Sequence, residues 1–233
     1  EGGLARAVCK LAEALAAAGE EVHVLTRGAE GAPACDLRGG VCVHRIVEAD
    51  RPTEMGAFMD WVHGFNDDLL ASGRALAAGH DFDIVHGHDW LVAHAAKRIA
   101  DSAGVPFVTT VHATEYGRHQ GWVHVAPQSE IHRAERWMVH AADAVLVCSH
   151  YMRDHVADVF GSLPESRVVR LQRLHPKSVI KSQVDTVLVP RPQTGGGDGR
   201  SLGGRPLDGV ALIEWARTVV EDVLCPPSGD GAA

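Results

Sequence analysis

Three short apolar runs limit what this chain can fold into more than any other feature. Asp83-Ile84-Val85-His86, Phe107 to His112 and Ala144 to Cys148 are rich in β-branched residues and too short to be helices. Each is followed by helical spacing: Trp90 to about Ala103, Gln128 to Ala141, and a helix after Ser149 with Met152, Val156 and Phe160 on one face. Strands separated by helices form parallel pairs, because a parallel pair needs a crossover connection. The expected fold is therefore α/β, a Rossmann-like parallel sheet flanked by helices. Upstream, Leu4, Val8, Leu11 and Leu15 draw an apolar helix face that Gly19 ends, and Glu21 to Thr26 and Val41 to Ile46 read as strands. Residues 28–40 read as a loop. Gly56 to Ala78 reads as a helix burying Phe58, Trp61, Val62, Phe65, Leu69 and Leu76, with Gly64 and Gly73 as weak points. Arg167 to Leu171 supplies a further strand.

Beyond residue 171 the pattern changes. Residues 172–182 show no period, Val184 to Val189 suits an edge strand, residues 194–204 are Gly-rich and linker-like, and a short helix fits Gly209 to Leu224. Two regions are expected: residues 1–171 as one domain and residues 172–233 as an atypical linker or tail. The first residue is Glu1 and a helix follows almost at once, so the chain is expected to start inside a longer parent.

With a net charge of -8 the chain lacks the clustered Lys and Arg that grip phosphate backbones, so nucleic acid is excluded as a partner. Small molecules fit better. Five cysteines without a Cys-x-x-Cys pair argue against a disulfide framework or a zinc ribbon. No apolar run approaches the roughly 18 residues of a transmembrane span, and no signal segment opens the chain. A soluble, cytoplasmic protein is expected.

Chemistry collects where strands end. His86, His88, Asp89 and Trp90 follow one strand, with Gly87 expected to let the chain turn; His112 ends the next, followed by Glu115, Tyr116 and Arg118. If the two strands are parallel neighbours, these residues share one rim, where open α/β sheets bind ligands. Gly2 and Gly3 precede the first helix, whose free N–H groups and dipole favour an anion. Imidazoles at His86 and His88 alternate as metal ligands would. However, Trp90 stands where a metallo-hydrolase would place a second Asp, and no His-Glu-x-x-His occurs, so no metal is assigned. The bland alternative is that His86 and His112 merely cap their strands. Cys148-Ser149-His150 is contiguous, but sequence neighbours seldom face each other as nucleophile and base, so Cys148 reads as core and Ser149 as a helix cap. His132, Arg136 and His140 read as a solvated stripe.

Glu1-Gly2-Gly3-Leu4, the strand from Gly19 to Thr26, Asp83 to Trp90, Thr110 to Glu115 and Ala142 to Ser149 together resemble the amino-terminal half of a family four glycosyltransferase, the group that includes bacterial glycogen synthases. The resemblance spans about residues 1–171. It implies a GT-B architecture of two Rossmann-like domains. The implied reaction is retaining transfer of a sugar from a nucleoside diphosphate sugar to an acceptor hydroxyl, with no cofactor and no required metal. By the same resemblance Gly2 and Gly3 match the glycine loop near the donor diphosphate. His112 matches the catalytic histidine at the transferred sugar, and His88, Asp89 and Trp90 match the acceptor-side wall. Glu115, Tyr116 and Arg118 are further substrate contacts. The chain departs from the family after residue 171: Gln172-Arg173-Leu174-His175-Pro176 replaces the expected link, and no donor-binding half is recognisable. The chain alone is therefore expected to be inactive. Two other classes fit parts of the pattern, a non-catalytic module recognising a glycan or protein and, more remotely, a metal-dependent hydrolase.

Overall fold

The computed structural model describes residues 3–28, 30–47, 51–161, 163, 168–170 and 185–190. Eight strands form one sheet in the order β2-β3-β1-β8-β4-β5-β6-β7. These are β1 (Val22–Arg27), β2 (Cys35–Arg38), β3 (Val41–Ile46), β4 (Phe82–His88), β5 (Phe107–Val111), β6 (Ala144–Val147), β7 (Val168–Arg170) and β8 (Asp185–Pro190). The helices are α1 (Gly3–Ala17), α2 (Met55–Ala77), α3 (Ala93–Ala103), the single turn α4 (Glu115–Arg118), α5 (Gln128–Ala141) and α6 (His150–Phe160). β1 pairs in parallel with β3, and β4, β5, β6 and β7 form a continuous parallel run. The expected α/β architecture is present.

Alternation along the strands divides the core. Val22 and Val24 pack with Leu4, Val8, Leu11 and Leu15 of α1, while Leu25 joins a larger cluster with Phe65 and Leu69 of α2, Ile99 of α3 and Phe160 of α6. This follows from period two in strands and 3.6 in helices. Gly104, at φ 68°, takes the left-handed conformation that ends α3, and the Ser149 hydroxyl accepts the Met152 N–H to start α6.

Four expectations need correction. Residues 28–40 are not wholly loop: β2 pairs antiparallel with β3 through a hairpin. Its turn is Gly39-Gly40, at φ 56° and 83°, the geometry that two-residue hairpins demand. Because β2 is mostly exposed, it has no apolar alternation to read. The strand expected to stop at His86 runs to His88, through Gly87. That glycine serves packing rather than a turn, since a Cβ there would lie 3.2 Å from both the Ala96 Cβ and the Phe107 ring. The stripe on α5 is not uniformly solvated, because His132 is half-buried beside Phe160. Finally, the segment expected at an edge lies inside the sheet. β8 runs antiparallel between β1 and β4, with Leu188 opposite both His23 and Val85. Its run Thr186-Val187-Leu188-Val189 has the β-branched, apolar composition of an interior strand. The expected linker and the helix over Gly209 to Leu224 fall outside the described residues.

Candidate functional site

β4 and β5 are parallel neighbours, with His88 opposite Thr110, so their ends deliver side chains to one rim. His86 and His88 share a sheet face because they are two residues apart, and their rings lie 4.1 Å centroid to centroid. Nδ1 of His88 shares a hydrogen bond with Nε2 of His112 at 3.1 Å, and Nε2 of His86 meets the Thr110 hydroxyl at 2.7 Å. Three imidazoles thus form a file from the buried sheet toward the half-buried His112.

Burial governs their charge. It pulls His86 down to about 3, with help from His112, and pulls His88 well below the ordinary histidine range. His112 is also lowered by burial, against an opposing pull from the Asp89 carboxylate. All three are neutral imidazoles at pH 7. They can donate or accept at a hydroxyl but offer no fixed positive charge. Nε2 of His88 is buried and has no hydrogen-bond partner among the described residues.

The turn after β4 sets the position of His112. Asp89 adopts φ 61° and ψ 174°, a region nearly reserved for glycine. In return its carboxylate accepts the His112 N–H at 2.9 Å, while its own N–H reaches the Thr110 carbonyl at 3.0 Å. The strain is held by a charge-assisted bond to the very residue expected at the reaction centre. Trp90 is buried, edge-on to Phe58 at 6.2 Å, and holds the turn from the core side.

Next along the rim, the Thr114 hydroxyl caps α4 by accepting the Gly117 N–H and meets Nε2 of His155 at 2.7 Å. Glu115 is buried, and its carboxylate faces His119 at 3.0 Å and Arg118 at 3.4 Å. Both Glu135 oxygens accept the Glu115 N–H, at 2.8 and 2.9 Å. Burial pushes Glu135 up to about 8, with this bond and Arg118 opposing. Tyr116 and Arg118 are exposed at the surface of the same turn.

The chain matches the model of Glycosyltransferase Family 4 over residues 1–173. It belongs to this family. Among family relatives, glycogen synthase of Mycobacterium tuberculosis is 40% identical over 184 residues, covering 72% of this chain and 44% of the relative. D-inositol 3-phosphate glycosyltransferase 1 of Catenulispora acidiphila is 30% identical over 182 residues, covering 75% of this chain and 41% of the relative. The chain thus spans less than half the length of these relatives. Sucrose-phosphate synthase of Thermosynechococcus elongatus shares the fold with a TM-score of 0.60 at 19% identity, over 73% of this chain and 42% of that one. The described sheet accordingly has the α/β fold of a GT-B half.

Of the residues expected at the site by resemblance, His88, Asp89 and His112 are in direct contact, and Glu115, Tyr116 and Arg118 share the adjoining turn. Gly2 lies outside the described residues; Gly3 is the first residue of α1. Because α1 packs on β1 and turns directly into it, its amino end lies toward the carboxyl ends of the parallel strands. Sequence reasoning missed Glu135 and His155. Glu135 falls in register with Ile131 and Met138 on the buried face of α5, and a carboxylate on an apolar stripe was the available signal. His155 carried no such mark. Cys148 is inert: burial, with Asp89 nearby, pushes its thiol up to about 11.

Proposed function

We propose that residues 1–171 form the acceptor-side half of a retaining glycosyltransferase that moves a sugar from a nucleoside diphosphate sugar to an acceptor hydroxyl. The carrying observation is the file of neutral imidazoles ending in half-buried His112, whose backbone is anchored by Asp89. A neutral imidazole can donate to a sugar hydroxyl or toward developing charge without binding the anionic diphosphate in its place. Gly3, the first residue of α1, with Gly2 before it in sequence, suits the diphosphate through backbone N–H groups. Asp89, Glu115, Tyr116 and Arg118 offer acceptors and donors for carbohydrate hydroxyls, and His88 and Trp90 support the wall they form. No helix among the described residues is long and apolar enough to cross a membrane.

On this reading residues 172–233 do not supply a donor-binding half, and the chain alone turns nothing over. Calorimetric titration of the chain with nucleoside diphosphate glucoses, alongside a transfer assay with oligosaccharide acceptors, tests that. Weak donor binding and no transfer are expected; tight binding with turnover would overturn the division of labour.

A further inference from the structure

A second cluster lies at the opposite, amino-terminal end of the sheet and has no part in the proposed transfer. Glu21 immediately precedes β1, His23 is the second residue of that strand, and His80 stands between α2 and β4. One Glu21 carboxylate oxygen, Oε1, lies 2.9 Å from Nε2 of His23 and 3.1 Å from Nδ1 of His80. The three atoms all fall within 4.8 Å of one another. Zinc bonds of about 2.0–2.1 Å place ligand atoms about 2.9 Å apart in octahedral and about 3.3 Å apart in tetrahedral geometry. Two of the three edges are already at that spacing.

The surroundings are those of a built site. His23 is 3% exposed, yet it is not among apolar groups alone: its Nδ1 shares a hydrogen bond with Nε2 of His44 at 3.0 Å. A partner on the far nitrogen fixes the tautomer and orientation of a metal-ligating imidazole. The His44 ring stacks on His23 with 10° between planes, His80 meets it edge-on at 4.5 Å, and Phe82 closes the apolar side at 5.8 Å. Glu21 and His80 are partly exposed, which leaves an entry path and an open coordination position for water.

We infer that Glu21, His23 and His80 form a divalent transition-metal site, with zinc its natural occupant and His44 holding His23 in place. Two imidazoles and one carboxylate select against magnesium and calcium, which prefer all-oxygen shells. The ion would join the start of β1 to the entry of β4 across β8, whose Leu188 lies opposite His23. Its role is structural, at the far end of the strands from His112.

The test uses the whole purified chain and zinc alone as probe. The expected result is one tight zinc per chain, and a thermal midpoint raised by about 5 °C at zinc near 100 times its Kd. His80→Ala and Glu21→Gln, both at partly exposed positions, should each weaken binding at least tenfold and abolish that shift, while His112→Ala leaves it intact. Cobalt(II) should give a four- or five-coordinate visible spectrum without a thiolate charge-transfer band. Absence of stoichiometric zinc, equal affinity in His80→Ala and Glu21→Gln, loss only in His112→Ala, or a thiolate band moving the ion to Cys42 would each overturn the assignment.

Discussion

At the scale of single residues, the rim is defined by groups whose charge burial has suppressed. His86, His88 and His112 stay neutral in the folded chain, whereas in the unfolded chain they titrate near 6.5. Below that pH the unfolded state takes up protons the native state refuses, so their contribution to stability is present above pH 6.5 and lost as pH falls. Glu135 has the opposite sign. Its folded value of about 8 exceeds the unfolded 4.5, so the native state keeps a proton the unfolded chain has released, and stability falls as pH rises between those values. From pH 7 to 8 the histidine contributions still rise slightly as the last unfolded imidazoles lose their protons, and the larger Glu135 contribution falls. The midpoint of thermal unfolding should drop by about 2 °C over that interval. In Glu135→Gln it should not drop; equal slopes in the two proteins would show that Glu135 is not protonated in the fold.

At the scale of elements, the close approach of α2 to α3 depends on a residue that looks like a defect in the sequence. A Cβ at Gly73 would lie 2.3 Å from Cδ1 and 2.7 Å from Cγ1 of Ile99, which is fully buried. Gly73→Ala gains up to about 1 kcal/mol of helix propensity. Overpacking costs about 1–3 kcal/mol, and Ile99 has no solvent to retreat into. The net expectation is a loss of about 1 kcal/mol in denaturant unfolding, whereas the same change at Gly64, where nothing lies within 4 Å, should stabilise the fold. A gain at Gly73 would mean the two helices can part freely. This example shows what the sequence carries and what it hides. Helical period marked α1, α2 and α5 because each buries one continuous face. The same reading could not tell Gly73, a contact, from Gly64, a cost, because the difference lies on another helix. Exposed β2 had no alternation to betray it. Gly87 read as a turn for the same reason as Gly73: its partners Ala96 and Phe107 are distant in sequence.

At the scale of the whole molecule, the order of strands explains why the expected rim was legible. Strand-helix-strand units made β4 and β5 parallel neighbours, and that alone placed His88 and His112 side by side. The place of antiparallel β8 between β1 and β4 was not legible, because an apolar run that suits a sheet interior does not say which strands it enters between. Glu135 reached the site from a helix whose sequence marked it as buried, not as functional. The family relationship fits from outside: on the proposed function this sheet is one half of a GT-B enzyme, and its rim would need to face a donor-binding half to work.

That dependence points to one decisive measurement. A chimera joining residues 1–190, so that β8 stays between β1 and β4, to the remaining half of the Mycobacterium tuberculosis glycogen synthase relative supplies a facing domain, and its transfer rate can be compared with and without His112→Ala. If His112 acts on the transferred sugar, kcat falls at least about 100-fold while the thermal midpoint changes little, as expected for one lost transition-state contact. An unchanged kcat in the variant would remove His112 from the chemistry and leave the imidazole file as core.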